Sequence, residues 1–218
     1  MKESLKIDLA EGYGVFHYPN GGRYEGNFKN DKREGFGIEY LTNGQKYVVE
    51  WKNHIAEGYG KLYISNGEFY EGEFKNNVLC GYCIYHYQDG GKFEGEMINT
   101  KREGYGIFYH GNGDRYEGVF KNDIPEGYGV FYNGDKYEGE IKNNKIEGYG
   151  IKILTKGEKY IGEWKNNLAE GYGKYYFSNG DILQGKFKKG VFKGGNVVFY
   201  SSKFGFKFEK KFKSIYPM

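Results

Sequence analysis

The sequence predicts an all-β protein: an elongated, single-layer antiparallel sheet built from about eight stacked β-hairpin repeats. Three observations predict it. A Glu-Gly-aromatic-Gly word begins its first glycine at Gly12, Gly35, Gly58, Gly81, Gly104, Gly127, Gly148 and Gly171, with steps of 23 residues broken once by a step of 21. Turn dipeptides recur in phase with it. Apolar and polar residues alternate between the turns with the period of two that a strand requires. The composition agrees. Gly (37), Tyr (24) and Phe (17) are abundant in 218 residues, while Pro is only 3. Apolar burial must therefore come mostly from rings, and the glycine excess is not that of collagen or a linker.

Taken in order, residues 1–23 read as a worn half-repeat and first strand. Leu5 falls in the column of Phe28 and Lys6 in that of Lys29, so the chain starts in phase and this piece is expected to cap the array. Residues 24–185 are the repeat array. In each unit a first strand such as Gly12 to Tyr18 ends at a turn: Asn20-Gly21, Asn43-Gly44, Asn66-Gly67, Asp89-Gly90, Asn112-Gly113, Asn133-Gly134, Lys156-Gly157 and Asn179-Gly180. Asn-Gly and Asp-Gly tolerate the positive φ that hairpin turns demand. A second strand such as Tyr24 to Lys29 ends at a Lys-Asn loop. About seventeen strands at ~4.8 Å each would make a rod of roughly 80 Å.

Two aromatic columns share one face. The first is Tyr24, Tyr47, Tyr70, Phe93, Tyr116, Tyr137, Tyr160 and Leu183; the second is Phe28, Trp51, Phe74, Met97, Phe120, Ile141, Trp164 and Phe187. Glycines beside so many rings read as a packing device, leaving hollows into which a neighbouring ring can lie. The opposite face carries Glu25, Glu71, Glu94, Glu117 and Glu138 with Lys nearby, spaced about 10 Å apart and so screened by salt. Residues 186–218 form a last worn repeat and a basic cap. They hold nine Lys and one Glu, net +8, in a chain of net +3. Lys186, Lys188, Lys189, Lys193, Lys207, Lys210, Lys211 and Lys213 make this a basic pole. Within it, Val197 to Tyr200 and Phe204 to Phe208 read as the last strands.

Cys80-Gly81-Tyr82-Cys83 is a C-x-x-C with His86 three residues on. A zinc site wants four ligands, commonly from two such pairs, and no second pair follows. Cys80, Cys83 and His86 therefore rank as a structural feature of the repeat, and no cofactor is expected. His17 and His86 fall in a column otherwise filled by tyrosines and read as aromatic stand-ins. Carboxylates recur in every repeat, whereas a catalytic pair should be singular, and the Gly-x-Gly words lack the context of a phosphate loop. The expectation is a protein without catalytic activity. No signal peptide or spanning segment is visible, Lys2 excludes the myristoylation motif, and two cysteines suit a reducing compartment.

The pattern Tyr-Glu-Gly-x-Phe/Trp-Lys-Asn followed by Gly-Tyr-Gly and a turn glycine resembles the MORN repeat (membrane occupation and recognition nexus), across essentially the whole chain. The resemblance implies a scaffold in a cytoplasmic, cytoskeletal complex: ciliary axonemes, radial-spoke heads or protist cytoskeletal structures. It also implies a homodimer through the C-terminal repeat. On this basis the expected partner is a protein helix or extended peptide, held in an aromatic groove formed by Tyr24, Phe28, Tyr47, Trp51, Tyr70, Phe74, Tyr116, Phe120, Tyr137, Tyr160 and Trp164. The alternative is anionic lipid, met by the basic pole. Nucleic acid ranks last, because the aromatics are not interleaved with the lysines of the tail.

Overall fold

A computed structural model describes residues 9–98, 100–201 and 205–212; the side chains of residue 80 and of residues 195–201 and 208–212 lie outside that description. Leu5, Lys6 and Lys213 therefore fall outside it, as does Phe204. The described residues form eighteen strands and no helix. They divide into two compact units, residues 1–100 and 101–218.

The first unit contains β1 (Gly12–His17), β2 (Arg23–Lys29), β3 (Lys32–Tyr40), β4 (Lys46–Lys52), β5 (Ile55–Tyr63), β6 (Phe69–Lys75), β7 (Val78–His86) and β8 (Lys92–Ile98). Within this unit each pairs antiparallel with its sequence neighbours. The second unit repeats the scheme in β9 (Lys101–Tyr109), β10 (Arg115–Lys121), β11 (Ile124–Asn133), β12 (Asp135–Lys142), β13 (Lys145–Ile153), β14 (Lys159–Lys165), β15 (Leu168–Tyr176), β16 (Ile182–Lys188), β17 (Val191–Ser201) and β18 (Phe206–Phe212). The chain is thus all-β, an antiparallel array of stacked hairpins, as the period predicts.

The two turns of each repeat exchange the roles the sequence suggests. At the Asn-Gly tips only the glycine has positive φ, as at Gly21 (95°). The Asn20 side chain instead accepts the Gly22 N–H at 3.0 Å, and Asn43, Asn66, Asp89, Asn112 and Asn179 do the same one repeat after another. Two consecutive left-handed residues occur at the Lys-Asn loops: Asn30 (49°) with Asp31 (65°), and Asn166 (50°) with Asn167 (67°). Asn and Asp adopt this region more readily than other L residues.

These loops explain the signature glutamate. Glu11, Glu34, Glu57, Glu103, Glu126, Glu147 and Glu170 each accept the backbone N–H of the first left-handed residue in the following loop, at 2.8–3.1 Å. The second loop residue reaches back: Asp31, Asn77, Asp123 and Asn167 accept the N–H of Ala10, Ala56, Arg102 and Ile146. Within each unit these hairpins are thereby tied to their neighbours by side chain as well as by ladder.

Candidate functional site

The Gly-aromatic-Gly word is where packing and surface are decided. At β3 the pairing with β2 slips between Gly26↔Gly37 and Phe28↔Arg33, so three residues of β3 face one of β2. Gly35 sits in this bulge with φ of +66°, a conformation that side-chain-bearing residues rarely adopt. The second glycine, Gly37, lies beside Gly26, and a Cβ on Gly26 would come within 2.7 Å of the Gly37 Cα. The ring of Tyr24 lies over both, and its hydroxyl donates to the Asn27 carbonyl at the bulge, at 3.2 Å. Tyr116, Tyr137 and Tyr160 repeat the arrangement, donating to the carbonyls of Val119, Glu140 and Glu163 at 3.0–3.2 Å.

The aromatic columns expected to line a partner groove are therefore the core, which corrects the groove assignment. Tyr24, Trp51, Phe74, Tyr116, Phe120, Tyr137, Tyr160 and Trp164 are all buried, with 0–8% of their surface exposed, and Phe28, Tyr47 and Tyr70 are half-buried. The rings pack edge to face along the array: Tyr24 on Trp51 at 5.7 Å, Tyr137 on Trp164 at 5.6 Å, Tyr160 on Phe187 at 5.1 Å. Trp51 and Trp164 each donate their indole N–H to a glycine carbonyl of the preceding repeat, Gly37 and Gly150, at 3.2 Å. Arg33 covers the Trp51 ring at 4.0 Å while donating to Glu39 and to the His54 carbonyl. Burial holds the Tyr116 hydroxyl up to about 12, and raises Tyr24, Tyr137 and Tyr160 in the same direction.

The middle ring of the same word points the other way. In the first unit Tyr13, Phe36, Tyr59 and Tyr82 are 59–73% exposed; in the second Tyr105, Tyr128, Tyr149 and Tyr172 are 57–66% exposed. The register sets each against an outward residue of the next strand: Phe36↔Glu50, Tyr59↔Glu73, Tyr82↔Glu96, Tyr128↔Glu140, Tyr149↔Glu163, Tyr172↔Lys186. Sequence reasoning passed over this row because its rings stand between glycines. The signal was present, since they occupy the opposite parity to the columns that fill the core.

The outward face has a second row that is already satisfied. Arg23 lies over Tyr40 at 3.7 Å, Lys46 over Tyr63 at 4.2 Å, Arg115 over Tyr132 at 4.4 Å and Lys159 over Tyr176 at 4.6 Å. His86 stacks on Phe69 at 4.1 Å, acting as a ring in its column. Cys83 is buried opposite Gly72, on the core face, and burial pushes its thiol up to about 11. His86, three residues on in the same strand, projects to the other face. The structure therefore does not bring Cys83 and His86 together, and no cluster that could hold a metal occurs among the described residues. Lys186, Lys188, Lys189, Lys193 and Lys207 are exposed, Lys186 near the Tyr172 ring at 6.0 Å. Lys210 and Lys211 lie in β18, with side chains outside the described set.

A buried ring column, a paired bulge and an outward ring repeated hairpin after hairpin define an array of β-hairpin repeats. The MORN repeat model matches residues 6–23, 24–46, 50–69, 70–92, 93–115, 116–136, 137–159 and 160–182, and the chain belongs to that family, whose repeats commonly serve as scaffolds for protein or membrane interactions. No curated protein matches the chain. Among solved structures it is similar to the TCP10 domain of Danio rerio CPAP, at 12% identity over 92% of this chain and 100% of that one, with a TM-score of 0.34. A streptogramin B lyase aligns at 12% identity over 94% of this chain and 70% of that one, with a TM-score of 0.16. Virginiamycin B lyase from Staphylococcus aureus with quinupristin aligns at 11% identity over 94% and 85%, with a TM-score of 0.17.

Proposed function

We propose that this chain is a non-catalytic scaffold that holds a protein helix or extended peptide against the outward Gly-aromatic-Gly rings, as a structural part of a cytoplasmic cytoskeletal complex of ciliary or axonemal type. The observation that carries this is the exposed row of one large ring per repeat, on an array whose other aromatic columns are buried in the core or covered by Arg and Lys side chains. Rings exposed at regular intervals offer apolar area at little entropy cost. Family membership supports a scaffold, and the resemblance drawn from the repeat motif supports the cytoskeletal setting.

The test is co-purification of the tagged protein from its own cells at moderate and high salt, beside a Tyr59→Ala/Tyr82→Ala double variant. Cytoskeletal proteins that survive high salt and disappear with the variant are the expected outcome. Partners retained unchanged by the variant would contradict it. A second reading has its own observation: Lys186, Lys188, Lys189 and Lys193 are exposed at the C-terminal end of the repeats and would meet an anionic lipid surface. In that case vesicles containing phosphatidylserine would bind the chain at low salt and release it sharply as salt rises.

A further inference from the structure

In the first unit the outward row is more than aromatic. From β3 to β8 it consists of the cross-strand pairs Phe36↔Glu50, Tyr59↔Glu73 and Tyr82↔Glu96, one ring and one carboxylate per hairpin, with a bulge between successive pairs. The three rings are exposed and so are the three glutamates. Among the described residues none of these three carboxylates has a hydrogen bond or an ion pair. The neighbouring outward glutamates differ: Glu25 is paired with Arg23, Glu71 with Lys61 and Glu94 with Lys92. In the second unit Glu140 and Glu163 turn back onto the backbone N–H of Tyr149 and Tyr172. Only in the first unit, among described residues, does the ring row carry a series of carboxylates without a hydrogen-bond or ion-pair partner.

We infer that this row receives a cationic segment in polyproline II conformation, with Arg or Lys at every third position, lying across the strands from Phe36 to Glu96. This rests on the outward ring row being the binding face. The charge complementarity is direct: each ring and adjacent carboxylate form a slot in which a cation meets a π face and an acceptor together. The spacing selects the conformation. Successive slots are two strands apart, about 9.6 Å. A polyproline II chain returns to the same side every third residue, after about 9.3 Å. A helix presenting one residue per seven advances about 10.5 Å, so it drifts by about 2 Å over two steps. A β-strand returns every second residue, after about 6.7 Å, and reaches no second slot in phase.

The experiment titrates labelled synthetic peptides of equal net charge onto the full chain and reads fluorescence anisotropy. One peptide places Arg at every third position in a Pro-rich background, one at every fourth, and one at every seventh in a helix-forming background matched for charge. The third-position peptide should bind at least ten-fold tighter than either other. A Glu50→Gln/Glu73→Gln/Glu96→Gln variant should lose at least ten-fold of that affinity with unchanged melting. Equal binding of the three peptides, or full affinity in the glutamine variant, overturns the inference. If the seventh-position helix binds best and Tyr59→Ala abolishes it, the occupant proposed here is wrong while the ring row remains the binding face. If Tyr59→Ala/Tyr82→Ala leaves all peptide binding intact, both fall.

Discussion

The hollow beneath the first aromatic column is filled in three different ways. At Gly139 and Gly150 the backbone is bare, and the ring of Tyr137 lies over both with its hydroxyl on the Glu140 carbonyl. One repeat of the first unit has Val49 where the others have glycine, and its side chain crowds Gly60 instead. Val49 is fully buried there and Tyr47 is left half-buried. Cys83 opposite Gly72 does the same to Tyr70, whose ring lies tilted against Tyr85 at 4.3 Å. At the far end Leu183 replaces the tyrosine, and the Phe192 ring from the next strand covers Gly185. The hollow is thus a fixed volume that takes one occupant, a ring from its own strand, a small side chain or a ring from the neighbour.

The largest expected effect breaks the ring side of that comparison. Trp164→Ala removes a buried indole that packs on Tyr137 and Tyr160, and should cost about 3–5 kcal/mol in denaturant unfolding. Next, Gly139→Val installs in the second unit the side chain that the first unit already tolerates at Val49. A Cβ there would lie 2.5 Å from the Tyr137 hydroxyl oxygen, so the ring must leave, at a cost of about 1–3 kcal/mol. Pairing it with Tyr137→Ala should recover part of that loss, and simple additivity would refute the shared-volume account.

Tyr116→Phe keeps the ring and deletes the donor to Val119, for about 1 kcal/mol. It also tests a pH dependence. Because burial raises the Tyr116 hydroxyl from 10 to about 12, the unfolded chain ionises first. Stability from this group is complete below about pH 10 and is lost as pH rises toward 12. The phenylalanine variant should lose less stability over that window than the parent does, as read by urea midpoints. The smallest effect belongs to the outward row: Tyr59→Ala should stay within about 0.5 kcal/mol of wild type.

The repeat architecture was legible because a 23-residue period constrains every strand at once, and alternation placed Tyr24 and Trp51 on one face. What the alternation cannot say is which face is covered. A flat single layer would leave both open, yet the bulge at Gly35 and the bare pair Gly26 and Gly37 let the rings lie down on their own backbone. That turned the expected groove of Tyr24, Tyr116 and Tyr160 into a core and moved the exposed rings to Tyr13, Tyr59 and Tyr172. Likewise the loop at Asn30 and Asp31 carries the paired left-handed residues because its neighbour's Glu11 and Ala10 hold it there, a contact between repeats that no single repeat displays.

The most direct test of the division between a ring core and an outward ring face is tyrosine labelling with mass spectrometry, on the folded chain alone and on the complex recovered from cells. The account predicts that Tyr13, Tyr59, Tyr82, Tyr105, Tyr128, Tyr149 and Tyr172 label in the free chain while Tyr24, Tyr116, Tyr137 and Tyr160 do not, and that members of the first group become protected in the complex. Ready labelling of the second group in the folded chain, or a first group that labels equally with partner bound, would contradict it.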